Sequence, residues 1–169
     1  VGIENTTSDI VVFFSPDGNE DPEDIKKLLD KMGENYDLVI ASRFLLESRN
    51  EEEGKMFPFR LWANKLYTFL ANKIFNKGKT YITDTINGFR AVSREAFLAL
   101  ELNESGFPIE YQMSIRSMKK GFKIGEIPTR EAERIGGVSK ALSIPVGLGH
   151  LKVLLQEIFA GKSAGSRRF

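Results

Sequence analysis

The stretch DIVVFFSPDGNEDPEDIKKLLDKMGENYDLVIAS, residues 9–42, decides how the chain is organised. Asp9 to Phe14 is a short apolar run rich in β-branched and aromatic residues, the mark of a buried strand. Ser15-Pro16-Asp17-Gly18-Asn19 stops it with turn-forming residues. A helix follows to about Met32, with Asp21 as candidate N-cap and Pro22 at its first position. Ile25, Leu28, Leu29 and Met32 share one helical face, and Gly33 ends the helix. Tyr36 to Ser42 is a second buried strand. Strand, helix and strand joined by short connections make a βαβ unit, so the expected fold is α/β with a mostly parallel sheet flanked by helices.

The turn after the first strand is the first candidate site, because ligands of open α/β sheets gather at the carboxyl ends of strands. Gly18 lets the backbone turn tightly, so that Asp17 and Asn19 can point to one side. A carboxylate and an amide oxygen are hard donors suited to Mg²⁺ or Mn²⁺, and a diphosphate and water would complete the coordination. The same residues are also good turn formers with no ligand at all. An EF-hand reading fails, since Pro22 stands where the calcium loop needs glycine and Leu28 where it needs a bidentate glutamate.

Further along, Glu47 to Lys55 is polar and aperiodic and reads as a loop. Phe59 to about Phe75 reads as a long amphipathic helix with Leu66, Phe69, Leu70 and Ile74 on its apolar stripe. Asn87 to Val92 reads as a strand, and Ser93 to Leu100 as a helix capped by Ser93. Ile109 to Lys120 is a helix ended by Gly121. Phe122 to Ile127 is a strand closed by Pro128. Arg130 to Lys140, with its Gly136-Gly137 pair, is a loop, and Pro145 to Ala160 is a last helix before a basic tail.

Composition removes whole classes of chemistry. The 169 residues include no cysteine and one histidine, His150, so disulfides, thiolate sites, histidine-rich zinc sites and a Ser-His-Asp triad are not expected. Lack of cysteine fits a reducing compartment. A net charge of +1 gives no footprint of a nucleic-acid binder. No apolar run is long enough to cross a bilayer. The first ten residues hold Glu4 and Asp9 and no cationic start, so a signal peptide is not expected among them. Carboxylates, amides, hydroxyls and cations must carry whatever chemistry there is.

Taken in order, SPDGNEDPEDI, DLVIASRF, Asp84-Thr85-Ile86-Asn87-Gly88-Phe89-Arg90, Phe107-Pro108-Ile109-Glu110, Glu126-Ile127-Pro128 and Arg134-Ile135-Gly136-Gly137-Val138-Ser139-Lys140 resemble the second half of the family 2 glycosyltransferases. The likeness is to the dolichyl-phosphate mannosyl- and glucosyltransferase-like branch in particular, and it spans roughly residues 8 to 140. It implies the C-terminal portion of a GT-A, or nucleotide-diphospho-sugar transferase, fold. The implied activity is inverting transfer of a hexose from a UDP- or GDP-linked donor to a lipid phosphate or other hydroxyl acceptor. By the same resemblance Asp17 and Asn19 would hold the metal, Mg²⁺ or Mn²⁺, that bridges the donor diphosphate. The family's first carboxylate of this turn is replaced here by Ser15, which can meet a phosphate oxygen or a metal-bound water but carries no charge.

Asp84 matches the acid ahead of Gly-Phe-Arg and would serve as a positioning group or as the base. A base is needed unless the acceptor is already an anion. Arg90, Arg134, Ser139 and Lys140 are candidates for the phosphates, where negative charge develops on the leaving group. Each cation could equally sit in a surface salt bridge of little energetic weight. Glu110 and Gln112 are candidates for acceptor or sugar hydroxyls. Being two apart they do not share a helix face, and Glu110 is the better placed.

A GT-A domain reads the nucleotide with a βαβ half ahead of the aspartate turn, and only eight residues precede Asp9 here. The expectation is therefore a partial GT-A domain over residues 1–145 and an amphipathic helix with a basic tail over 146–169. A missing N-terminal half, or self-association, would cover the open sheet edge. Leu148, Leu151, Leu155, Ile158 and Phe159 make an apolar face on the last helix. That face either packs on the core or rests on a membrane surface, and the Phe57–Phe75 segment allows the same second reading. The expected location is cytoplasmic, peripheral at the cytoplasmic face of a membrane. A non-catalytic binding or assembly module with a truncated GT-A fold is the alternative. A nucleotidyltransferase would need a Gly-rich phosphate loop at its start, which is not visible.

Overall fold

In the computed structural model the described residues are 2–15, 18–49, 59–131 and 143–165. After a short 3-10 turn at Ile3–Asn5 come β1 (Ile10–Phe13), α1 (Glu23–Met32), β2 (Leu38–Ser42), α2 (Phe59–Phe75), β3 (Arg90–Ser93), α3 (Arg94–Ala99), α4 (Pro108–Lys120), β4 (Ile124–Pro128) and α5 (Ser143–Gly165). The sheet order is β1-β3-β2-β4. The α/β class with flanking helices holds, but the sheet is mixed. β1, β2 and β4 run the same way, while β3 is inserted between β1 and β2 and is antiparallel to both. The two strands of the expected βαβ unit are thus not neighbours, and only β2 and β4 pair in parallel. Alternation within Leu38–Ser42 cannot reveal such an insertion, because every residue of β2 is buried.

Side-chain alternation on β2 sorts the core into two layers. Val39 and Ala41 join Leu28 and Met32 of α1, Phe89 and Ile127. Leu38 and Ile40 face the other way, into a larger cluster with Ala71 and Phe75 of α2, Tyr111, Ile115 and Met118 of α4, and Val153 and Leu154 of α5. α1 follows its sequence pattern with one adjustment. Leu29 is exposed, and the buried Asp24 takes its place on the inner face, receiving Lys27 Nζ at 2.6 Å and the Thr129 hydroxyl at 2.7 Å. Asp21 accepts the Glu23 amide at 3.0 Å, and Ser93 accepts that of Ala96 at 3.1 Å, as expected of residues at helix starts.

α2 and α5 depart from expectation more sharply. The buried residues of α2 are Asn64, Thr68, Ala71, Asn72 and Phe75, whereas Leu66, Phe69 and Ile74 of the expected core stripe are exposed. On α5 the buried side is His150, Val153, Leu154 and Glu157, whereas Leu148, Leu151, Leu155 and Phe159 are exposed. α5 therefore packs on the core through Val153, Leu154 and Ile158, and of the expected apolar face only Ile158 turns inward. It is fastened by Glu157, which meets Arg116 at 2.6 Å and Lys119 at 2.7 Å, and by the Tyr67 hydroxyl, which donates to Gly147 O at 2.8 Å. At Gly149 a Cβ would stand 2.7 Å from Pro108 Cγ, so glycine is what lets α5 approach the start of α4.

The inversion of α2 has a local cause. Its inner face gives Ala71 and Phe75 to the core cluster that holds Leu38 and Ile40 of β2, while Thr68 and Asn72 on the same face meet the irregular segment 80–87, whose backbone polar groups require partners. Asn72 gives its side-chain amide to Ile82 O at 2.8 Å and accepts Ile82 N–H at 3.0 Å. Thr68 Oγ1 lies 2.8 Å from Thr85 Oγ1 and accepts Thr85 N–H at 3.2 Å.

Candidate active site

Segment 82–87 crosses the carboxyl end of β2 and carries Asp84. Six amides in succession, Ile82 to Asn87, are each held by a side chain: Asn72 for Ile82, Glu126 for Thr83 and Asp84, Thr68 for Thr85, and Asp84 itself for Ile86 and Asn87. Glu126 comes from β4 and also takes the Thr83 hydroxyl at 2.8 Å. Thr83 Oγ1 in turn lies 2.6 Å from Ser42 Oγ at the end of β2. On the carbonyl side, Ser114 donates to Thr85 O at 2.7 Å. An irregular chain is thereby given the hydrogen-bond saturation of a strand.

Asp84 is fully buried and faces Arg43, the residue after β2. Arg43 Nε reaches Asp84 Oδ2 at 2.7 Å and Nη2 reaches Oδ1 at 3.1 Å, a two-point pair, while Nη1 lies 3.6 Å from Glu131. Burial alone would push the Asp84 carboxyl up. The Arg43 guanidinium and the amides of Arg43 and Ile86 outweigh that and hold it below its ordinary value. Burial likewise works against charge on Arg43, and Asp84 and Glu131 overcome it, so its pKa is raised. Both shifts favour the charged pair. Asp84 has its oxygens engaged by donors on Arg43, Ile86 and Asn87, which suits a group that positions others better than one that removes a proton.

Arg90 is also wholly buried, at the opposite side of the same segment. It donates to Asn87 O, to Glu110 O at 3.0 Å and to Ser114 Oγ at 3.2 Å. Burial pulls its pKa down to about 10. Among the described contacts its guanidinium serves the backbone of the turn. Glu110, near the start of α4, keeps Oε1 3.8 Å from where a Cβ on Gly88 would stand, and its Oε2 is buried without a hydrogen-bond partner. Burial raises its pKa, opposed by Arg90. Gln112 points elsewhere, holding Asn103 Oδ1 at 2.7 Å and Glu157 at 3.3 Å between α4 and α5. The two residues diverge, as their spacing requires.

At the end of β1, Gly18 has φ of 79°, the left-handed turn expected of it, and Asn19 is buried. Ser15 N–H donates to the Glu20 carboxylate at 2.7 Å. The amide of Asn19 and the hydroxyl of Ser15 are hard oxygen donors of the kind Mg²⁺ and Mn²⁺ accept, so the described part of the turn fits such an ion in its chemistry. Asp17, Arg134, Ser139 and Lys140 lie outside the described residues. Beside this end of the sheet a cleft of about 220 Å³ opens between α1 and β4, lined by Asp21, Asp24, Glu47 and Arg130 among others.

The structure thus brings Asp84, Arg90 and Glu110 around one turn and leaves Gln112 out. It adds two residues that the sequence reading used only as marks of resemblance, Arg43 and Glu126. Both had a signal: an arginine directly after a buried strand, and a glutamate within the otherwise apolar Ile124–Pro128.

Four matches relate the chain to known proteins. A family model described as glycosyl transferase family 2 matches residues 1–98. The chain is 31% identical over 132 residues to the glycosyltransferase AglJ of Haloferax volcanii, covering 75% of this chain and 40% of that protein. It is 28% identical over 135 residues to the polyprenol monophosphomannose synthase of Mycolicibacterium smegmatis, covering 78% of this chain and 48% of that one. The chain therefore spans less than half the length of these curated relatives. Among solved structures, glucosyl-3-phosphoglycerate synthase from Mycobacterium tuberculosis, in complex with phosphoglyceric acid, shares the fold with a TM-score of 0.64 at 20% identity. That match covers 92% of this chain and 52% of the other.

Proposed function

The chain belongs to glycosyl transferase family 2, and from that premise we propose that it forms the metal and acceptor part of an enzyme moving a hexose from a UDP- or GDP-sugar to a polyprenyl-type lipid phosphate with inversion. The observation that carries the choice of acceptor is the state of Asp84. A carboxylate buried, ionised and bound on both oxygens is a poor proton acceptor, and a phosphate monoester is a nucleophile that needs none. Relatives named for polyprenol or dolichol phosphate point the same way.

In this reading Asp84 fixes Arg43, and the Arg43–Asp84 pair, seated on Glu126 and Thr83, presents a rigid wall at the carboxyl end of β2. Arg90 acts on the turn rather than on a phosphate. Arg134, Ser139 and Lys140 meet the donor diphosphate. Asp17 and Asn19 would hold Mg²⁺ or Mn²⁺, with Ser15 against a phosphate oxygen. A bound divalent ion supplies positive charge to the leaving diphosphate. The location proposed for this part of the protein is the cytoplasmic face of a membrane, where it would meet a lipid phosphate.

Glu110 supports a second reading, in which the acceptor is a hydroxyl. Its unpartnered oxygen and raised pKa are the properties a general base needs and Asp84 lacks. One assay separates the two. This chain, and any longer polypeptide containing it, is incubated with labelled UDP- and GDP-hexoses and either polyprenyl phosphate or polyprenol, with Mg²⁺, Mn²⁺ or EDTA. The proposal expects an acid-labile phosphate-linked product of inverted anomeric configuration, made from the phosphate alone and lost with Asp17→Ala. Transfer to hydroxyls that disappears in Glu110→Gln would establish the second reading instead. Nucleotide-sugar binding without transfer to either acceptor would leave a binding module.

A further inference from the structure

We propose that His150 is a pH-operated latch: neutral, it ties the first half of α5 to the start of α4, which carries Glu110, and on protonation it lets that half go. His150 is buried where α5 packs on α2 and α4. Its ring lies 5.5 Å from that of Tyr67 on α2 and 5.4 Å from that of Tyr111 on α4, edge-to-face with both. Two hydrogen bonds complete the junction. The Tyr111 hydroxyl donates to Tyr67 O and the Tyr67 hydroxyl to Gly147 O, each at 2.8 Å. His150 Nε2 lies 3.4 Å from Phe107 O. A carbonyl only accepts, so Nε2 carries the proton of the neutral ring and a second proton enters at Nδ1. Next to it Gly149 closes on Pro108, so this part of α5 covers the first residues of α4.

Among the described residues nothing beside the ring compensates a positive charge. Its titratable neighbours are Tyr67 and Tyr111, whose pKa values burial raises, so both stay neutral where histidine titrates. On its own helix Lys152 is paired with Glu104, and Glu157 with Arg116 and Lys119. Glu110 of α4 sits beside Gly88, and Lys65 and Lys73 of α2 lie over Phe44 and Phe69. Burial lowers the His150 pKa, and only the Phe107 carbonyl opposes it. The folded value is thus below the ordinary 6.5, so the contribution of the neutral ring is complete above 6.5 and fades as the pH falls toward the folded value. Gly147 and Gly149 make this half of α5 the weaker helix. Beyond it Val153 and Leu154 are core residues. Burial works against charge on Glu157, but Lys119 and Arg116 hold its carboxyl low, so its pairs persist as His150 titrates. Opening therefore stops short of Val153. The latch belongs to the fold and holds whether or not the transferase reading does.

His150 is the only histidine of the chain, so one imidazole signal reports on it directly. The full chain is titrated by proton–carbon NMR from pH 8 to pH 4.5, with the same chain unfolded in urea as reference, and amide protection is read at pH 7 and pH 5. The expected midpoint lies below that of the unfolded chain. Protection at residues 147–151 falls about threefold or more between the two pH values, while residues 154–159 keep theirs. The Gly88 amide signal, beside Glu110, moves with the His150 midpoint. His150→Phe keeps a ring between the tyrosines and takes no proton, so these steps vanish in it. Should that variant not fold, the wild-type titration decides alone. A midpoint at or above the unfolded reference overturns the proposal. So does a lowered midpoint with unchanged protection at 147–151, which is a buried histidine and no latch. Loss of protection along all of α5, or steps that persist in His150→Phe, overturns it as well.

Discussion

The two long sides of α2 reverse the usual division between inside and outside. Inward, Thr68 and Asn72 are buried against a turn that also buries Asp84, Arg90 and most of Glu110. Outward, Trp62, Leu66 and Phe69 stand in the open. The difference teaches that the partner decides which face of a helix is inner. A segment with unmet backbone groups draws amides and hydroxyls toward it, and the apolar residues that remain turn away. Stability should therefore reside in polar side chains on one side and be almost indifferent to large apolar ones on the other.

The strongest test of that contrast is Asp84→Ala. It leaves Arg43 buried with only the more distant Glu131 and should cost about 3–5 kcal/mol in urea unfolding at pH 7. The sign with pH follows from the lowered carboxyl. Asp84 stabilises fully above its unfolded value near 3.8, and that contribution fades as the pH falls from there toward the folded value. The gap between wild type and variant should close in that acid window, and a gap independent of pH would remove the ion pair as its cause. Next in size is Glu126→Ala, which strips the acceptor from the amides of Thr83 and Asp84 and should cost about 1–3 kcal/mol. Hydrogen exchange at those two amides should rise with it.

Glu110→Gln should move stability the other way. Its carboxyl is raised, so its charge is a penalty that is complete above the folded pKa and absent below the unfolded value near 4.5. The variant should be more stable than wild type at neutral pH and equal to it in acid. The opposite order would mean that Oε2 has a partner in solution. The smallest effect is expected on the outer side. Phe69→Ser should change unfolding free energy by less than about 0.5 kcal/mol, although it deletes an aromatic ring. A loss as large as that at Asp84 would show the outer stripe to be core and end the comparison.

Much of this was legible in the residues themselves. The apolar runs at 10–13 and 38–42, the Ser93 cap and the glycine ending α4 after Lys120 locate most elements, since each depends on a few adjacent side chains. Asp84 and Glu110 were also within reach through local motifs. What could not be read depends on distant neighbours. β3 slips between β1 and β2 from fifty residues further along the sequence. The stripe Leu66, Phe69, Leu70, Ile74 has the spacing of a core face, and nothing local reveals that Thr68 and Asn72 will be claimed by residues 82–85. Arg43 and Glu126 were visible as letters of a motif, but their task emerges only when β2 and β4 lie side by side.

The run of amides from Ile82 to Asn87 is held from α2, from β4 and from within the turn. Such a segment has no slack with which to remodel itself around a ligand. It behaves as an anvil rather than a clasp, so any adaptation to a ligand must come from outside it. Attempts to alter selectivity by randomising 82–87 would mostly yield chains that fail to fold.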